Sequence, residues 1–191
     1  SDLPNMLDFY LHENFFTGSL PQVFSPHLYY YEVGYNYFTH SIPNEFFALH
    51  QLNYFDVRYN YLTGTIPYMA GSTEQYNTVE FLSMANNFLS GTIPSDIGGY
   101  YYLVDLLLYH NLLTGTLPQT LNQLHILESL LLQDNRLSGN LNHIINASMP
   151  KNFDPDPMDI IANQTNYQGI SSIDVSANQV TGSIPWQRFA L

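Results

Sequence analysis

The fold class this sequence predicts is a solenoid of about seven short coils, their strands stacked into one parallel sheet. Three observations predict it. Asparagine recurs at Asn14, Asn36, Asn60, Asn87, Asn111, Asn135 and Asn178, each followed four residues later by glycine, with His40 taking that place once. Successive asparagines are 22, 24, 27, 24, 24 and 43 residues apart, so the unit is close to 24 residues. Before each asparagine, apolar residues alternate at a spacing of two. A fixed period of this size marks an array in which no unit buries its apolar face alone.

The strand comes first in each unit. Five and three residues before the asparagine stand Phe9 and Leu11, Phe55 and Val57, Leu82 and Met84, Leu106 and Leu108, Leu130 and Leu132, and Ile173 and Val175. Alternation at two is the period of a strand with one face buried, so these residues form the core side of a parallel sheet. The asparagine follows where the chain leaves the strand. Its amide can bond backbone groups of adjoining coils that would otherwise be buried without partners, and its recurrence in every unit marks a scaffold role.

Two further columns are apolar: Phe16, Phe38, Leu62, Leu89, Leu113, Leu137 and Val180, then Leu20, Ile42, Ile66, Ile93, Leu117, Leu141 and Ile184. Glycine between them fits a turn that disfavours a side chain, so the coil holding His40 is expected to be strained or differently turned. Proline then ends the extended segment at Pro21, Pro43, Pro67, Pro94, Pro118 and Pro185, with Asn142 the exception. Ten residues after each asparagine, Phe24, Phe46, Ala70, Ile97, Leu121 and Ile145 return an inward residue from the outer, helical or irregular part of the coil.

The recurring pattern Leu-x-x-Leu-x-Leu-x-x-Asn-x-Leu-Thr/Ser-Gly-x-Ile/Leu-Pro resembles the plant-specific subfamily of leucine-rich repeats. That subfamily occurs in ectodomains of receptor-like kinases and receptor-like proteins and in polygalacturonase-inhibiting proteins. The likeness covers nearly all of the chain. It implies an α/β, β-rich right-handed superhelix with a concave parallel sheet, short convex helices or 3-10 turns, and a short second sheet from the Thr/Ser-Gly-x-Ile-Pro segments. It also implies extracellular or cell-surface recognition. One departure from the family stands out: its flanking caps commonly carry paired cysteines, and this chain has none. Both ends open directly into repeat-like sequence, so residues 1–191 are expected to be a single uncapped array from a longer protein, reaching a membrane only through segments outside this chain.

Side chains six, four and two residues before the asparagine alternate away from the core. The face they form offers Tyr10, His12, Tyr30, Glu32, Tyr54, Asp56, Arg58, Phe81, Asp105 and Tyr109 as ligand-binding candidates, with Ser83 and Ala85 in the same columns. Tyrosine and carboxylate concentrate in the first three coils, forming an aromatic, acidic half-groove. Tyrosine suits protein, peptide or sugar recognition, because it brings large area and a polar tip at little rotamer cost. Seven strands about 4.8 Å apart span roughly 29 Å, room for an extended peptide of about eight or nine residues. Asp56 and Arg58 are expected to form a surface ion pair.

Composition narrows the function classes. Sixteen acidic residues face four basic ones, a formal net charge of −12. Phosphate binding needs clustered cations, so nucleic acid is excluded as a partner, whereas a basic peptide or protein surface is complementary. The sequence contains no phosphate-cradling glycine loop, nucleophile elbow or His-Glu-x-x-His, and no cysteine nucleophile. Catalysis needs converging groups, which an open strand array does not supply, so neither an enzyme nor a cofactor is expected within these residues.

The 43-residue interval holds an irregular insertion at about 149–168, with Pro150, Pro155 and Pro157 disfavouring helix and inner strand. We expect a loop there. Its Asp154, Asp156 and Asp159 lack the glycine and bidentate glutamate of a calcium loop, so no metal is expected. The sequons at Asn146 and Asn163 would accept N-linked glycan on a secreted chain. The leading functional expectation is a non-catalytic recognition module of a receptor-like protein. The alternative is a secreted inhibitor of a cell-wall-degrading hydrolase; more remote is ice binding by the Thr and Ser columns beginning at Thr17 and Ser19.

Overall fold

The computed structural model describes residues 5–22, 25–68, 78–142 and 170–182. Its inner strands are β1 (Asp8–Tyr10), β3 (Tyr30–Glu32), β5 (Tyr54–Asp56), β7 (Phe81–Ser83), β9 (Asp105–Leu107), β11 (Ser129–Leu131) and β13 (Ser172–Asp174). They form one seven-stranded sheet in chain order, and every pairing is parallel. The register holds the apolar columns together: Phe9 pairs with Tyr31, Phe55 with Leu82, and Leu130 with Ile173. Pairing passes directly from β11 to β13 across the 43-residue interval.

The second sheet that the resemblance implied is also present. Strands β2 (Thr17–Gly18), β4 (Tyr37–His40) and β6 (Tyr61–Leu62) form one ladder. A second is made of β8 (Ser90–Gly91), β10 (Leu112–Thr116), β12 (Arg136–Asn140) and β14 (Gln179–Thr181). The Thr65–Ser90 bridge lies between the two. On the outer side, 3-10 helices span Asn44–Ala48, Ser95–Gly99 and Gln119–Gln123, each entered from a proline in extended conformation. Proline presets that entry and cannot continue the preceding ladder. Phe46, Ile97 and Leu121 are the buried residues these helices send inward, as the sequence columns required. Phe24, Ala70, Ile145 and Ile184 lie outside the described residues, as do the insertion, Asn146 and Asn163.

The core is continuous and changes character along the axis. In the first coils it is aromatic: Tyr31 is fully buried, with Phe9 and Phe55 stacked 5.4 Å away on either side, and its hydroxyl donates to the Pro21 carbonyl at 2.9 Å. Phe46 meets it at 4.5 Å. From β7 onward leucine fills the same columns, with Leu82, Leu106 and Leu130 fully buried.

The asparagines staple neighbouring coils. Asn36, Asn60, Asn87, Asn111 and Asn135 are all buried. In Asn87 the side-chain nitrogen donates to the carbonyls of Met84 and Ala85 in its own coil and of Val57 in the preceding one. Its oxygen accepts the Leu62 N–H at 3.0 Å. One side chain thus satisfies both a donor and acceptors that the turn leaves open. Asn178 repeats the arrangement against Leu132 and Leu137. Asn14 is exposed and, among the described residues, donates within its own coil.

Two turn positions adopt left-handed backbone. The residue before each asparagine (Glu13, Tyr35, Tyr59, Asn86, His110, Asp134 and Ala177) has φ between 50° and 56°. None is β-branched, which is the class that tolerates this region worst. The glycine column is left-handed too, and at Gly115 a Cβ would lie 2.6 Å from the Thr92 methyl. His40 keeps the glycine turn at φ 70°, so the expected strain is real. His40→Gly is expected to stabilise the array by about 0.5–1 kcal/mol, the relief of a strained residue less the added freedom of the unfolded chain. Urea unfolding checks this; a loss would show that the 2.8 Å contact between His40 Nδ1 and the Thr39 hydroxyl outweighs the strain.

Candidate ligand-binding face

The alternation that buries Phe9, Tyr31, Phe55 and Leu82 turns their neighbours onto the opposite face of the inner sheet. Four rings form a continuous file there. Tyr10 lies 5.9 Å from Tyr30, Tyr30 lies 5.1 Å from Tyr54, and Tyr54 stacks on Phe81 at 4.3 Å with planes 5° apart. Tyr10 is half exposed, while Tyr30, Tyr54 and Phe81 are partly buried by stacking on one another. The file ends after the fourth strand, where the same position carries Asp105, partly buried, and then Ser129 and Ser172.

Carboxylates flank the file. Asp8 is exposed, Glu32 is partly buried, and His12 Nδ1 reaches Glu32 Oε1 at 3.6 Å across the strands. Arg58 Nε lies 3.1 Å from Asp56 Oδ2, and the Arg58 guanidinium sits 5.8 Å from the centre of the Tyr35 ring. Tyr109 is partly buried, and burial raises its hydroxyl pKa; Tyr54 is pushed up to about 12 by burial and then by Asp56. Both hydroxyls therefore stay protonated donors at neutral pH.

The structure corrects the reading of Asp56 and Arg58 as a surface pair. Asp56 is completely buried, and Ser83 and Ala85 in the same face are buried as well. The side chains are short, and taller neighbours close over them: Arg58 lies on Asp56, with Tyr54 and Tyr109 close enough to feel its charge. Exposure on this face is set by height as well as by alternation.

Burial pushes Asp56 up to about 6, against the Arg58 backbone N–H at 2.9 Å and its guanidinium, which favour the ionised form; Glu32 adds to the rise. The sign follows from linkage. Between about pH 4 and pH 6 the folded chain holds a proton that the unfolded chain has released, so stability rises as pH falls through that window. A shift of about two units corresponds to roughly 2–3 kcal/mol. Asp56→Asn is expected to remove this slope in urea unfolding curves run between pH 4.5 and pH 7. An unaltered slope would place the titration elsewhere.

Sequence reading missed one column. Directly after the first four asparagines, Phe15, Tyr37, Tyr61 and Phe88 point to solvent and stack along the axis at 5.8–6.0 Å. Four aromatics at one repeat position were the available signal. The Thr/Ser column behaves differently: the hydroxyls of Thr39, Ser90, Thr114, Ser138 and Thr181 each donate to a glycine carbonyl of the preceding coil. Among the described residues no three His, Asp or Glu side chains are grouped to hold a metal ion, and no helix is long and apolar enough to cross a membrane.

The family described as Leucine Rich Repeat matches residues 78–100. Among solved structures, the LRR ectodomain of the plant membrane receptor kinase GASSHO1/SCHENGEN3 from Arabidopsis thaliana, in complex with CASPARIAN STRIP INTEGRITY FACTOR 2, aligns over 97% of this chain and 23% of its own. The TM-score is 0.76 and the identity 30%. The Arabidopsis receptor kinase HAESA, in complex with the peptide hormone IDA and the co-receptor SERK1, aligns at TM-score 0.74 and 27% identity over 96% of this chain and 27% of its own. A plant ice-binding protein shares the fold at TM-score 0.68 and 22% identity, over 95% of this chain and 60% of its own. The chain thus spans about a quarter of the receptor structures it matches. Among curated proteins none matches the sequence.

Proposed function

Because this chain is a leucine-rich-repeat solenoid of the type found in plant receptor-kinase ectodomains, we propose that it is a non-catalytic recognition module. It binds an extended peptide or a protein partner across the first four inner strands, at the cell surface or outside the cell. The observation that carries this reading is the unbroken file of Tyr10, Tyr30, Tyr54 and Phe81, bordered by Asp8, Glu32 and Asp105. Aromatic side chains with few rotamers lose little entropy on contact, and the acidic border selects a partner with basic residues. The side chains are strung along a sheet, an arrangement for contact over length and unsuited to converging on one reacting atom. The likeness to a receptor kinase solved with a peptide hormone supports the same assignment. Carbohydrate is a second ligand class compatible with the tyrosines.

The test is selection of a displayed random peptide library on the immobilised chain. Peptides enriched in lysine and arginine are expected, and Tyr10→Ala with Tyr30→Ala is expected to weaken the selected peptide at least about tenfold, the loss of two aromatic anchors. Tyr102→Ala, an exposed aromatic beyond this face, serves as the control. Unchanged binding by the double variant, with unchanged far-UV circular dichroism, would overturn the reading.

A further inference from the structure

Two aromatic files border a cleft beside the concave face. On one side, directly before the asparagines, Tyr35 and Tyr59 stack at 4.3 Å. On the other, directly after them, Tyr37, Tyr61 and Phe88 form part of the exposed axial stack. Between the files, above the asparagine ladder, lies a cleft of about 350 Å³ whose walls include Tyr37, Tyr59, Tyr61, Asn86, Phe88 and His110.

Its chemistry favours one kind of guest. The Tyr35–Tyr59 stack stops at Tyr59 because the next coil places Asn86 there, so the ring face toward that coil carries no stacked ring among the described residues. An aromatic face is the negative end of the ring quadrupole and attracts a cation. The chain already makes such a contact, with Arg58 against Tyr35. The cleft walls contain no lysine or arginine, and the exposed Asp134 carboxylate adds negative charge at the His110 edge, 3.1 Å from Nδ1. Asn86 differs from the ladder asparagines: its amide nitrogen is buried and has no hydrogen-bond partner among the described residues.

We infer that this cleft receives the guanidinium of an arginine carried by an extended peptide, with the open face of Tyr59 against the cation. A planar guanidinium stacks between ring walls where a compact ammonium does not. The inference stands apart from the concave-face reading, since it uses none of the residues of the four-ring file.

Acetyl-Gly-Arg-Gly-amide and its citrulline counterpart, which keeps the shape and loses the charge, are the probes. Titrated into the isotope-labelled chain at millimolar concentrations, the arginine peptide is expected to shift the amide resonances of Tyr59, Asn86, Phe88 and His110. Citrulline is expected to weaken binding about fivefold or more, the range of a partly exposed cation–π contact. Tyr59→Leu keeps apolar volume without the ring face and should weaken the arginine peptide to the same degree, with Phe88→Leu as the second variant. Tyr30→Ala should leave it untouched, which separates this cleft from the concave face. Equal binding of the two peptides, no shift in the cleft, or full binding by Tyr59→Leu in a folded chain would overturn the assignment.

Discussion

Asn87→Ala is expected to destabilise the array by about 1–3 kcal/mol, more than any surface substitution in the molecule. Removing the amide leaves the Leu62 N–H without its acceptor at a buried turn, and takes one of two donors from the Val57, Met84 and Ala85 carbonyls, which keep the Asn60 amide, the Asn111 amide and the Tyr59 N–H. One buried donor left unsatisfied costs about 1–3 kcal/mol, and the weakened carbonyls add little because each keeps a partner. Urea unfolding measures the loss, and hydrogen exchange locates it: protection of the Leu62 amide should fall first. Asn87→Asp is expected to be as harmful at neutral pH, because a carboxylate would face three carbonyl oxygens, and milder in acid once it can donate. A cost under about 1 kcal/mol for Asn87→Ala would mean that water replaces the staple freely.

Phe55→Ala is the second large effect, expected at about 3–5 kcal/mol. Phe55 is fully buried, with ring centres 5.4 Å from Tyr31 and 5.3 Å from both Phe46 and Phe47. Truncation removes its transfer energy and leaves a cavity among rings held by two strands and a 3-10 helix, which cannot collapse into the space. Phe55→Leu should cost less than half as much, since most of the volume remains. Equilibrium unfolding distinguishes the two; equal costs would mean that ring geometry matters more than filled volume.

The columns that define the fold were legible through the middle of the array, whereas at its ends Phe16 and Ile173, assigned to inward columns, are exposed. Phe55, Leu82 and Leu106 are buried where alternation put them, Asn87 and Asn111 bond across coils as their recurrence required, and the prolines lead into short outer helices at Phe46, Ile97 and Leu121. Strain at His40 was legible too, because a side chain stood where every other coil kept glycine. The candidate face was legible only as a set of directions. Alternation says that Tyr10, Tyr30, Tyr54, Asp56 and Arg58 share one face, and they do, yet it does not say which of them reach solvent.

Side-chain direction and backbone register depend on the chain's own period, repeated coil after coil, so the sequence by itself determined the stacked sheet, the asparagine ladder and the apolar interior. Accessibility depends on residues about 24 positions away that arrive alongside only when coils stack. The tertiary structure alone decided that Asp56 lies under Arg58 with a raised pKa, and that Tyr54 rests on Phe81. It also decided that Tyr59, Tyr61 and Phe88 enclose a cleft. A periodic backbone can be read from one coil, whereas the height of a side chain relative to its neighbours exists only between coils.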